Sequence, residues 1–216
     1  MTEFRVECYI RCYNGDMPTS LHEERLTLVL DTLRAHGAAR VLDLGCGEGP
    51  LMLALADDGF FQKITGLDIS PSALETCRRA LAAARVALDR RVAVVNQSFA
   101  EADPNLQGYD AAVLLETIEH IPPDRLSKVE RAVFNSFCPR LVVITTPNQE
   151  CNELLGVPAH RRRHPGHEFE WTRAKFESWS RGVAGRNGYC VEFSGIGWAH
   201  PAFGAPSQMA LFIRDS

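Results

Sequence analysis

No run of about 18 consecutive apolar residues occurs in this chain, so it offers no membrane-spanning helix. Its opening residues, Met1-Thr2-Glu3-Phe4-Arg5, are not a basic segment leading into an apolar one, so an unexported protein is expected. Paired cysteines are missing too. The seven present (Cys8, Cys12, Cys46, Cys77, Cys138, Cys151 and Cys190) are odd in number and scattered, with no C-x-x-C. Neither a disulfide framework nor a thiolate zinc site is expected, and reduced thiols fit a cytoplasmic location. Excess positive charge is also absent. A net charge of −4 argues against a protein that coats nucleic acid, although a local basic patch can still hold a short strand or an end. Repeats and low-complexity segments are lacking. What is present, 216 residues of which 45% are hydrophobic, suffices for one substantial core and predicts a single domain over 1–216.

Residues 1–19 have no clear period and read as an N-terminal arm whose Asn14-Gly15-Asp16-Met17-Pro18 is turn chemistry. Ser20-Leu21-His22-Glu23 has the form of a capping box, and Leu21, Leu26, Val29, Leu30 and Leu33 continue at helical spacing until Gly37. Strands are expected at 40–44, 63–68, 91–96, 109–115, 141–145, 189–196 and 208–214. Helices fill the gaps: one after the Gly45-Cys46-Gly47-Glu48-Gly49 turn, one from Ser70-Pro71 to about Leu88, one over Leu126 to Phe137, and one capped by Thr172. Several strands are continuous apolar runs, which implies a mostly parallel, seven-stranded sheet covered by helices on both faces, an α/β fold of Rossmann-like layout. Between Pro147 and Trp171 the pattern breaks into a long polar loop, 147–171.

In such a sheet ligands sit beyond the carboxyl ends of the strands, where strand order reverses. Asp43-x-Gly45-x-Gly47-x-Gly49 lies there and departs in spacing from the dinucleotide fingerprint G-x-G-x-x-G, which argues against a nicotinamide enzyme. A purely structural left-handed turn would use the same glycines. The stretch resembles the first motif of class I S-adenosylmethionine-dependent methyltransferases. That resemblance implies that Gly45 and Gly47 let the backbone approach the methionine part of the cofactor, that Asp43 receives its ammonium, and that Asp68 accepts the ribose hydroxyls. Ser98 and Phe99 would flank the adenine. Cys46, between the glycines, reads as a small buried filler rather than a nucleophile.

Glu116-Thr117-Ile118-Glu119-His120 follows an apolar strand. If the segment makes a helical turn, its two carboxylates and imidazole share one face. Groups packed so closely at a strand end repel one another unless a cation or hydrogen-bond partners hold them. The spacing therefore suits a metal site, although a solvated turn would accommodate it. A second dense stretch, His160-Arg161-Arg162-Arg163-His164-Pro165-Gly166-His167-Glu168-Phe169-Glu170-Trp171, reads either as a solvated charged loop or as part of a site.

Together E-x-x-E-H and H-x-F-E-W resemble the Hua enhancer group of RNA 3′-terminal ribose 2′-O-methyltransferases, including bacterial RNA-repair members, over nearly the whole chain from about Leu21. The resemblance implies one divalent cation on Glu116, Glu119, His120 and His167. Mixed carboxylate and imidazole ligation suits Mn²⁺ or Mg²⁺. Two remaining positions would take the 2′ and 3′ hydroxyls of an RNA 3′ end, with His120 or His164 receiving the proton and Arg161, Arg162 and Arg163 meeting phosphates. Relatives often carry an acidic residue where this chain has Gly166. Any repair kinase, phosphatase or ligase is expected as a separate partner protein. Two other readings fit the fold: a metal-dependent methyltransferase for a catechol-like diol, and a cofactor-binding regulatory module.

Overall fold

The structure, a computed structural model, describes residues 20–84 and 90–214; the arm 1–19 and the end of the helix expected to reach Leu88 lie outside them. Helix α1 (Ser20–Ala35) precedes the sheet and stops at Gly37, whose φ of 63° is left-handed. The side chain of Ser20, and with it the expected capping box, lies outside what is described. Then come β1 (Arg40–Leu44), α2 (Pro50–Asp57), β2 (Lys63–Asp68), α3 (Pro71–Ala83), β3 (Val92–Asn96) and β4 (Ala111–Leu115). Ser70 caps α3 by accepting a hydrogen bond from the Ala73 N–H, with Pro71 at the first helical position.

Helix α4 (Leu126–Glu130) widens into a π-helical stretch, Arg131–Phe137, closed by Cys138 at φ 48°. The stripe Leu126, Val129, Val133 and Phe137 is nonetheless buried throughout. Strand β5 (Leu141–Pro147) runs two residues past its expected end. After the loop come α5 (Arg173–Asn187), β6 (Tyr189–Ile196) and β7 (Ser207–Arg214). Thr172 caps α5 through the Lys175 N–H.

The seven strands lie in the order β3-β2-β1-β4-β5-β7-β6, all parallel except β7, which is antiparallel to β5 and β6. Alternate residues of the central strands feed two cores. Leu42, Leu44, Leu114, Ile144 and Phe212 pack on the α4 and α5 side with Phe134, Phe137 and Phe176. Val41, Val113, Val143 and Leu211 pack on the α1–α3 side with Leu33, Met52, Leu55 and Leu74. Burial on both faces is why these strands read as continuous apolar runs. Strand order reverses between β1 and β4, so a crevice opens at their carboxyl ends. Among the described residues no helix is long and apolar enough to cross a membrane.

Candidate functional site

The glycine turn after β1 opens the crevice. Gly45 has a φ of 81°, and a Cβ there would stand 2.4 Å from Thr117 Cγ2, so only glycine lets this turn lie against the 116–120 segment. Gly47 is also left-handed, and its N–H donates to Asp68 Oδ2 at 2.9 Å. Asp68 Oδ1 accepts from Ser70 N–H at 2.8 Å, so this carboxylate joins the ends of β1 and β2 before any ligand arrives.

Asp43 is only 2% exposed and its Oδ2 has no partner. Burial pushes its carboxyl up to about 8, with Cys77 and Asp68 adding to the effect. A cavity of about 490 Å³ runs past Asp43, Gly45, Gly47 and Glu116. A second, of about 440 Å³, is lined by Gly45, Asp68, Ile69, Ser98, Phe99 and His120. An orphaned, buried carboxylate oxygen beside a glycine cradle fits a cofactor that brings an ammonium group. Ile69 was not singled out from the sequence. It is 71% exposed in this second cavity, and its only signal was an apolar residue directly after the acid that ends β2.

The 116–120 segment departs from the expected helical turn. Glu116 takes a left-handed φ of 49°, Thr117 sits at φ −123°, and a single 3₁₀ turn covers only Ile118–His120. The cause is tertiary. Glu116 N–H donates to the Thr145 hydroxyl at 3.0 Å, while the Glu116 carboxylate pairs with Arg25 Nη2 at 3.2 Å and accepts from Ser207 Oγ at 3.1 Å. Arg25, 8% exposed and reaching in from α1, is a site residue that the sequence did not single out. Glu119 is fully buried. Its Oε2 accepts from Thr146 Oγ1 at 2.9 Å and its Oε1 has no partner. Burial, then the charge of Glu116, raises its carboxyl well above the ordinary range.

The loop after β5 folds back onto this turn, with Glu168 N–H donating to Glu119 O at 2.7 Å. It brings ring nitrogens of His120, His164 and His167 within 4.8 Å of one another. His120 Nδ1 donates to Gly166 O at 3.0 Å, which leaves a lone pair on Nε2. Burial and the charges of His167 and His164 lower the His120 pKa, despite that hydrogen bond. His167 is buried, and its Nδ1 donates to Glu170 Oε1 at 2.6 Å, again freeing Nε2. Glu170, which the sequence reading gave no role, therefore fixes a histidine tautomer. Burial raises the Glu170 carboxyl, but hydrogen bonds from His167, Asn152 and the Arg163 N–H outweigh it and the net shift is downward.

Of the three arginines only Arg163 is half-buried, although Arg162, itself exposed, also bonds back to the loop. Arg163 donates to Asn152 Oδ1 at 2.7 Å, to Pro206 O at 2.8 Å and to Asn148 O, while Arg162 Nη1 donates to His167 O at 2.6 Å. They brace the loop instead of presenting three guanidinium groups to phosphates. Arg161 is exposed.

The donor types, a fully buried Glu119 with an orphaned oxygen next in sequence to His120, and two imidazoles with free Nε2 lone pairs, suit a hard or borderline divalent cation. Of the four expected ligands, only His120 and His167 belong to the cluster of groups lying within 4.8 Å of one another, while Glu116 is paired with Arg25 and Glu119 is held by Thr146.

A family profile described as "Methyltransferase domain" matches residues 41–139. With the fold and the crevice, that match defines the class: an S-adenosylmethionine-dependent methyltransferase domain. Among solved structures, the methyltransferase domain of bacterial CtHen1 superposes with a TM-score of 0.81 at 38% identity, covering 90% of this chain and 100% of that one. The chain belongs to the Hen1 family of methyltransferase domains. The "Small RNA 2'-O-methyltransferase" of Gallus gallus is 36% identical over 204 residues, covering 90% of this chain and 54% of that protein. Its namesake in Arabidopsis thaliana is 33% identical over 219 residues, covering 91% of this chain and 23% of that protein. The chain thus spans about half the length of the first relative and less than a quarter of the second.

Proposed function

We propose that this domain transfers a methyl group from S-adenosylmethionine to the 2′-oxygen of the 3′-terminal nucleotide of RNA, with one divalent cation, Mn²⁺ or Mg²⁺, held at Glu119, His120 and His167 beside Glu116. The observation that carries the reading is the pair of imidazoles, His120 and His167, whose Nδ1 atoms are already committed, with His120 lining the same cavity as Asp68 and directly following the buried Glu119, whose Oε1 has no partner. The names of the relatives supply the substrate class.

Asp43 would take the ammonium of the methionine moiety. The ribose hydroxyls would donate to the remaining lone pairs of Asp68, and Ile69 and Phe99 would bracket the adenine. When bound, the cation supplies Lewis acidity that lowers the pKa of a ribose hydroxyl. His120 cannot both ligate through Nε2 and accept the proton there, so this reading keeps it as a ligand. The exposed Arg161 offers its charge to the RNA backbone, and the loop 147–171 forms the RNA-facing side of the single domain.

Methyl transfer from labelled S-adenosylmethionine tests the reading, with RNA ending in 2′,3′-hydroxyls, in 3′-phosphate or in 2′-deoxyribose, and with catechol. The first RNA should be methylated, the second should be worse by about 10²-fold through misplacement of the sugar, and the third should accept nothing. Chelation should abolish transfer while leaving cofactor binding intact, and Mn²⁺ or Mg²⁺ should restore it. Full turnover in metal-free protein, or methylation at internal riboses, would overturn the reading.

A further inference from the structure

One residue of the loop sets two histidines in opposite protonation patterns. The Gly166 N–H donates to His164 Nδ1 at 3.0 Å, while Gly166 O accepts from His120 Nδ1 at 3.0 Å. An imidazole that accepts at Nδ1 must, when neutral, carry its proton on Nε2. His120 therefore presents a lone pair on Nε2 and His164 presents an N–H. The contact is close: a Cβ at 166 would lie 3.1 Å from His164 Nδ1 and 3.3 Å from His120 Nδ1, so a side chain there would press on both rings by a few tenths of an ångström. Three histidines in a cluster would otherwise suggest a cation site of three imidazoles, but the His164 tautomer removes it from that set. The same tautomer corrects the expectation that His164 takes a proton in the reaction, since its one basic nitrogen is already engaged by the backbone.

His164 is exposed, and the Gly166 N–H fixes its Nδ1. Its centroid lies 5.5 Å from that of His120, at 72° between planes, and 5.5 Å from that of His167, at 44°. Ring nitrogens of the three histidines lie within 4.8 Å of one another, so a sugar oxygen held near His120 and His167 comes within reach of this ring. We propose that His164 donates its Nε2 proton to the 3′-oxygen of the terminal ribose and so acts as a specificity residue for the vicinal diol; this rests on the reading above. Chemistry selects the 3′-oxygen over the 2′-oxygen. A donor to the attacking 2′-oxygen would withdraw electron density from the nucleophile, whereas a donor to its neighbour orients the sugar without that cost.

The test is a cycle between enzyme and substrate, with the wild type, His164→Ala and His164→Gln each assayed on RNA ending in 3′-hydroxyl and in 3′-deoxyribose. Mn²⁺ affinity is measured alongside by calorimetry. With the 3′-hydroxyl end, His164→Ala should lose roughly tenfold in kcat/KM, as expected for one neutral hydrogen bond. With the 3′-deoxy end it should lose less than about twofold, because the acceptor is already gone. His164→Gln, which retains an N–H donor, should recover part of the loss, and Mn²⁺ affinity should be unchanged in both variants. Equal losses on the two substrates would mean that His164 only supports the loop. A fall in Mn²⁺ affinity would mean that it is a ligand. Either result overturns the proposal while leaving the methyltransferase reading intact, whereas a wild type that cannot methylate the 3′-hydroxyl RNA sinks both.

Discussion

At the end of β1, Asp43 carries a buried carboxylate whose pKa is pushed up to about 8 by burial first and by Cys77 and Asp68 after it. The folded protein holds this proton far above the pH at which the unfolded chain releases it, so between those pKa values the native state binds more protons. Its stability therefore falls as pH rises from about 4 towards 8. Asp43→Asn removes that slope without changing shape. In thermal melts of cofactor-free protein, the variant should gain on the wild type steadily from pH 5 to pH 8.5, yet bind S-adenosylmethionine more weakly because it cannot neutralise the ammonium. A difference in Tm that stays flat with pH would place the titration elsewhere. The candidate roles of Asp43 and Asp68 were legible because Asp43 stands near the end of an apolar strand just ahead of a glycine turn and Asp68 closes the next strand. Arg25 was not, because its partner Ser207 is 182 residues away and nothing in α1 marks it. Glu170 was visible as part of a motif, but its role depends on which nitrogen of His167 it meets.

Among the elements, the strands and longer helices were readable from their periods, and the observed bounds differ mainly at the ends. The turn at 116–120 was misread because three contacts from Thr145, Arg25 and Ser207 hold Glu116 in a left-handed conformation that no local pattern encodes. The opposite rim of the sheet shows a related device. Arg91, just before β3, donates to Ala56 O at 3.1 Å, Asp58 O at 3.3 Å and Phe61 O at 2.6 Å, satisfying carbonyl groups at and beyond the end of α2. On the same rim, Arg140 donates to His36 O after α1, and Arg214 donates to Cys138 O at 2.9 Å after the π-helical stretch. These arginines therefore do not need nucleic acid to explain them. Arg91→Ala should cost about 2–3 kcal/mol in urea unfolding, since it leaves several half-buried carbonyls unpaired. A loss below about 0.5 kcal/mol would show that water satisfies those carbonyls equally well.

For the whole molecule, the question is how a loop of this length stays ordered over the crevice. It is stitched to the sheet at both ends. Asn148 Nδ2 donates to Phe203 O and Ala205 O, each at 2.8 Å, and Gln208 Nε2 bridges Pro147 O at 3.0 Å and Trp171 O at 2.9 Å. Arg163 ties the loop's middle to Asn152 and to Pro206, just ahead of β7. Arg161, Arg162 and Arg163 look alike in the sequence because a charge run is uniform until hydrogen bonding and the partial burial of Arg163 separate its members. Their substitutions should now separate as well. Arg163→Ala removes several charged hydrogen bonds to half-buried partners and should lower Tm by several degrees, with the slope of RNA affinity against salt unchanged. Arg161→Ala should leave Tm within about a degree but weaken RNA binding and reduce the log–log salt slope by roughly one, the loss of one phosphate contact. Filter binding across a salt series, together with thermal melts, reads both quantities. If Arg163→Ala changed the salt slope while Tm held, its guanidinium would belong to the RNA interface, and the brace that keeps the loop folded over His120 and His167 would have to lie elsewhere.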